Sequence, residues 1–166
     1  MARAAQISGG EHTGGNPENG ANRMSACKIR PADRWFSLCI RERADWHCER
    51  CGSKCPDDKR MGLHASHFHG RGKWATRFDP DNARALCYGC HQYCGANPDI
   101  HRAEMLAVLG EGLYQILQER SEDSRLGRLA KRSEADISKH YRAEHTAMLV
   151  WRSAGQVGRM EFEGWA

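Results

Sequence analysis

Apolar residues fall at helical spacing in several stretches and alternate in one. Pro31 suits a first helical turn, and Trp35, Leu38 and Cys39 follow at helical spacing, so a helix is predicted from Pro31 to Ala44. Arg34, Arg41 and Arg43 surround that stripe. Leu63 to His69 alternates like a strand and ends in the loop Gly70-Arg71-Gly72. Phe78-Asp79-Pro80-Asp81-Asn82 reads as a turn. Ala83 to Leu86 is short and extended, and Cys87-Tyr88-Gly89-Cys90 leads into another helix. After Pro98 the pattern is helical again, with one stripe at Met105, Leu106 and Leu109 and another at Leu113, Ile116 and Leu117. Gly110 and Gly112 break between the two. A longer amphipathic helix is predicted from about Ser133 to Trp151, with Ile137, Tyr141, His145, Met148 and Leu149 along one face. Residues 154–166 give no strong signal. Residues 1–26, rich in Gly and Asn, have almost nothing to bury and read as a disordered tail.

Composition narrows the class. The chain has 166 residues, 40% of them hydrophobic, and a net charge of +4, which suits one domain with appendages. No apolar run is long enough to span a bilayer. Met1–Gly10 lacks the order of a signal peptide, so a cytoplasmic location is expected. The charge is uneven: residues 27–95 hold 13 Lys or Arg against 8 Asp or Glu. A basic excess of this kind suits a polyanionic partner. The chain carries neither a GxxxxGKS phosphate loop nor a GxGxxG after a strand, which counts against a nucleotide enzyme.

All eight cysteines lie in that basic segment. Cys48-x-x-Cys51 and Cys87-x-x-Cys90 are two CxxC pairs, and each pair turns both thiolates to one side. Together they supply the four ligands of a structural Zn²⁺. Gly52 permits the left-handed turn that a knuckle needs. Cys55 and Cys94 each follow a pair by four residues. Cys94 is expected to pack inward, and Cys55 is an alternative knuckle ligand. Cys27 and Cys39 read as small hydrophobes. Four thiolates close the site, so this ion contributes to folding and leaves catalysis to other residues.

A second constellation lies between the pairs: His64-Ala65-Ser66-His67-Phe68-His69-Gly70-Arg71, then Asn82, then His91. A neutral imidazole can take a proton from water, and another can help hold a hard cation against a phosphate. A carboxamide can fix an imidazole or brace a loop. Bland readings stand beside these, because three histidines within six residues also suit an accessory zinc site and Asn82 suits a turn. His67, Asn82 and His91 between two CxxC pairs resemble the HNH endonucleases of the ββα-metal (His-Me finger) group, and Leu86-Cys87-Tyr88-Gly89-Cys90-His91 is like that group's LCxxCH. The stretches from His64 to Arg71, from Thr76 to Asn82 and from Cys90 to Tyr93, with Ala96-Asn97-Pro98 after them, narrow the likeness to the phage NinG (Rap) recombination endonucleases. It covers about residues 30–120.

The resemblance implies an α+β fold, with a small zinc-clamped ββα-metal finger, treble-clef-like, flanked by helices. It implies a tail over 1–26, a zinc-stabilised nuclease domain over 27–120 and a C-terminal helical extension over 121–166. It implies a metal-dependent DNA endonuclease acting on branched or recombination-intermediate DNA such as a Holliday junction, in the bacterial host cytoplasm if phage-encoded. His67 matches the general base, Asn82 the central asparagine, and His91 a ligand of a catalytic Mg²⁺ or Mn²⁺. Many such enzymes place a metal-binding Asp just before the base, and here that residue is Ser66, so His64 or His69 is a candidate second ligand. From their placement, Arg71, Lys73, Trp74, Arg77 and Arg84 are candidate DNA contacts. Arg30, Arg34, Arg41 and Arg43 would extend the basic face, and Arg125, Arg128, Lys131 and Arg132 make a second basic cluster. The face from Ile137 to Leu149 packs either on the finger or on a second copy in a homodimer. The alternatives are a non-catalytic zinc module that binds nucleic acid, or a generic HNH nicking or restriction-type nuclease.

Overall fold

A computed structural model describes residues 27–55 and 62–165 of the chain. The expected tail over residues 1–26 lies outside the described residues. The elements are α1 (Pro31–Arg43), β1 (Leu63–His67), a 3₁₀ turn (Pro80–Asn82), β2 (Ala83–Cys87), α2 (Tyr88–Ala96), α3 (Pro98–Glu122), α4 (Ser124–Arg132) and α5 (Glu134–Ser153). The class is α+β. Pro31 opens α1, and the Asp33 carboxylate accepts a hydrogen bond from the Arg30 amide at 2.6 Å, closing its first turn. Asp79 caps the 3₁₀ turn by accepting from the Asp81 amide at 2.9 Å. The strands pair antiparallel, with Leu63 opposite Cys87 and His67 opposite Ala83.

Phe36, Cys39 and Ile40 of α1, Leu63, Ala85 and Leu86 of the strands, and Ile137, Tyr141 and Met148 of α5 are buried together with Phe78 in one core. Side chains from the C-terminal helices thus share a core with the strands. The face from Ile137 to Met148 packs on α1 of the same chain. Leu149 lies off that face and is 47% exposed. The final segment also joins the core, although its sequence has no periodicity. The Met160 amide donates to the Arg43 carbonyl at 3.1 Å and the Met160 side chain is buried. The Trp165 amide donates to the Tyr141 hydroxyl at 3.0 Å, and that hydroxyl donates to the Phe78 carbonyl.

α3 is kinked at Gly110, whose φ of +73° suits a residue without a Cβ. The kink divides the two apolar stripes. Met105 and Leu117 are buried, one on each side, while Leu106, Leu113 and Ile116 face outward.

Arg77 was expected to meet DNA, and the fold places it inside, only 1% exposed. Its Nε and Nη2 donate to the two Asp33 carboxylate oxygens at 2.9 and 2.6 Å. Its remaining bonds reach the carbonyls of Lys28 and Arg71 and the sulfur of Cys27. Removing one partner of such a pair leaves a buried charge without compensation, so Arg77→Ala should cost roughly 3–5 kcal/mol. Urea denaturation checks this, and a loss below about 1 kcal/mol would contradict the assignment.

Candidate functional site

The first CxxC pair sits in a tight knuckle. Gly52 has a φ of +73° and its amide donates to the Cys48 carbonyl at 2.8 Å, while the Cys48 amide donates to the Ser53 carbonyl at 2.9 Å. The second pair spans the end of β2 and the first turn of α2. Two bonds hold the knuckle against β2: the Glu49 amide donates to the Ala85 carbonyl at 2.8 Å, and the Ala85 amide donates to the Glu49 carboxylate at 2.6 Å. The sulfurs of Cys48, Cys51, Cys87 and Cys90 consequently lie within 4.8 Å of one another. Cys51 and Cys87 are 3.8 Å apart, matching the edge of about 3.8 Å in a tetrahedron with Zn–S bonds of ~2.3 Å.

The chemistry of these sulfurs fits a cation. Burial pushes the Cys90 thiol up to about 12, so crowding four thiolates there calls for a positive centre. A hydrogen bond with the Ser53 hydroxyl brings Cys51 down to about 6. The Arg50 guanidinium stands 3.9 Å from the Cys90 sulfur. The four cysteines could hold one Zn²⁺ in a closed, structural site. Cys55 is buried in the core outside this group, which removes it as a knuckle ligand, and Cys94 packs inward. Cys39 donates to the Tyr141 carbonyl at 3.3 Å. Metal analysis should find about one zinc per chain, kept by Cys55→Ser and lost, with the cooperative fold, in Cys87→Ser. Zinc retained by Cys87→Ser would count against the four-sulfur set.

The histidines have different neighbours. His67 belongs with α1: its ring lies 5.7 Å from that of Phe36, and its Nε2 is 2.9 Å from the Arg77 carbonyl. A carbonyl only accepts, so Nε2 carries the proton and Nδ1 is the basic nitrogen. Burial pushes the ring down to about 4, the positive charge of Arg71 adding to that effect. His91, on α2, lies against His64 with ring centroids 5.2 Å apart. His91 is likewise pushed down, first by burial and then by His64 and Arg71. His69 stands elsewhere, edge-on to Phe68 at 4.8 Å and near Lys73 and Glu122. Of the two candidate second ligands, only His64 meets His91.

Asn82 touches no imidazole ring. Its amide Nδ2 donates to the carbonyls of His69 and Thr76 at 2.9 and 2.8 Å, and its Oδ1 accepts from the His69 amide at 2.7 Å. It is fully buried and braces the chain between the strands, which places it behind the site.

A cleft of about 830 Å³ is bordered by His64, His67 and His91 on one side and by α1 on the other, with Arg34, Arg41 and Arg71 along it. Arg71 is thus the candidate DNA contact that the fold brings to the histidines. Lys73 is exposed but pairs with Glu122 at 2.8 Å. Trp74 packs against the core, 4.7 Å from the Arg77 guanidinium and 6.1 Å from Phe78, so it is a packing residue here. Arg84 is buried and donates to the Glu49 carbonyl at 2.6 Å and to Glu104 at 3.4 Å, so it too is structural. His101, which the sequence reading passed over, is buried beside Ser66 and His91. Its spacing of four from the buried Met105 on one helix was the signal for it.

No protein-family model, no curated protein and no solved structure matches this chain.

The lowered His67 value has a consequence for pH. An unfolded histidine binds its proton near pH 6.5, so between pH 6.5 and about 4 the unfolded chain holds more protons at this position. The stability that His67 contributes is therefore present above pH 6.5 and is lost as pH falls toward 4. Ring ¹⁵N NMR should show His67 neutral, with the proton on Nε2, from pH 8 down to about 5.5. Titration near 6.5 would show that the ring is not desolvated.

Proposed function

We propose that this protein is a metal-dependent DNA endonuclease of the HNH, ββα-metal type. One observation carries the reading: His67 is held in a single neutral tautomer at the edge of a cleft that it shares with His91 and three guanidinium side chains. The order of two strands and a helix, with a cysteine pair entering and leaving the unit, supports it.

The chain's own groups bind the phosphate and accept the proton of the attacking water. Arg34, Arg41 and Arg71 draw the phosphate backbone into the cleft. Nδ1 of His67 takes a proton from a water molecule, and the Arg77 carbonyl steadies the imidazolium that forms. The water oxygen forms a new bond to phosphorus as the bond to the 3′-oxygen breaks, and the leaving oxygen takes a proton from solvent water, giving 3′-hydroxyl and 5′-phosphate ends. A Mg²⁺ or Mn²⁺ ion held by His91 would neutralise charge on the phosphate when bound. Asn82 contributes indirectly, by fixing the segment that leads to Arg77. Branched or recombination-intermediate DNA as substrate, and with it a place in phage recombination, rests on the likeness of residues His64–Arg71, Thr76–Asn82 and Cys90–Tyr93 to the NinG family.

The test compares the parent with His67→Ala on four-way junction, flap and linear duplex DNA, with Mg²⁺ or Mn²⁺. The variant should fold, retain zinc and bind DNA, while cleavage falls by about two orders of magnitude or more. Equal cutting by His67→Ala would overturn the mechanism, and intact DNA binding with no cutting by the parent would favour the non-catalytic zinc module. Cutting of linear duplex as fast as junctions would favour a generic nuclease.

A further inference from the structure

A cavity of about 240 Å³ lies among β1, α2 and α3. Ser66, His67, His91, Cys94 and His101 are among the residues that line it. Two ring nitrogens here have no partner: Nδ1 of His91 and Nε2 of His101 are both buried without a hydrogen bond. A buried nitrogen left unsatisfied is costly, and two on one small cavity call for a common ligand. His101 is only 8% exposed, its ring held edge-on against Phe68 at 5.2 Å. Ser66, where a related enzyme would present a carboxylate, lines the same cavity.

We infer that His101 and His91 together hold a divalent cation between α2 and α3, with His101 in the role that the carboxylate missing at Ser66 would fill. The inference rests on the reading of His91 as a cation ligand but not on DNA cleavage. His64 then acts as a neighbour of His91 and not as a ligand. Two imidazoles suit an ion such as Mn²⁺ that keeps several waters.

Mn²⁺ binding to the zinc-loaded protein, followed by electron paramagnetic resonance without DNA, tests this directly. His101→Phe keeps a ring against Phe68 and removes the orphan nitrogen, so its thermal stability should match or exceed the parent's. Its Mn²⁺ affinity should fall at least tenfold, as should that of His91→Ala, while His64→Ala keeps the parent's affinity. If His101→Phe does not fold, NMR of the parent decides: Mn²⁺ should broaden the His101 ring signals as strongly as those of His91 and more than those of His64. Unchanged affinity in His101→Phe, or loss confined to His64→Ala and His91→Ala, would overturn the inference. Loss of Mn²⁺ binding in His101→Phe in a parent that cuts no DNA would uphold the cation site while removing the nuclease reading.

Discussion

The fold turns on one guanidinium that has no water to fall back on. Arg77 carries five N–H donors, and five acceptors meet them: both carboxylate oxygens of Asp33, the carbonyls of Lys28 and Arg71, and the sulfur of Cys27. Those partners come from the segment before α1, the first turn of α1 and the loop after β1. A buried charge tolerates no half-measures, so the three segments are held in one relative position. The same residue presents its own carbonyl to His67. The tautomer of that imidazole therefore depends on how α1 is seated against the hairpin loop.

From that joint the molecule divides its tasks. The cysteine cluster fixes where β2 ends and α2 begins, which sets His91 in place. The Arg77 joint fixes His67. α5 and the closing segment supply the hydrophobic mass that a unit of two strands and a short helix lacks, through Ile137, Tyr141, Met148 and Met160. Each histidine is thus held by a different device, and both face one cleft.

Much of this was legible in the residues and some was not. The CxxC pairs, the breaks at Gly52 and Gly110, and the helices at Pro31 and Pro98 follow from local chemistry that tertiary packing did not override. The histidines at 67 and 91 were legible as a pair by spacing. Arg77 and Arg84 were misread because arginine is usually exposed, and nothing local reveals that Asp33 and Glu104 will enclose them. The packing of Trp74 was not legible, since a loop tryptophan packs or protrudes depending on distant neighbours. The stretch holding Met160, Phe162 and Trp165 has no period, so its burial depends on the groove made by α1 and α5. His101 was missed because it lies one turn before the first apolar position of its stripe, and a polar residue there reads as exposed until its neighbours are seen.

The contact between the knuckle and β2 bears on solubility as well as shape. A two-stranded sheet has two outer edges, and an open edge is a template for another chain. Glu49 covers the outer side of β2 at Ala85, offering its backbone amide to the carbonyl and its carboxylate to the N–H. Glu49 lies between Cys48 and Cys51, so the ligand loop is also the guard on that edge. If the four cysteines hold an ion, losing it would remove the guard together with the clamp. Its β2 would then offer hydrogen bonds to any other extended strand, and the metal-free protein would be exposed to aggregation as well as to unfolding.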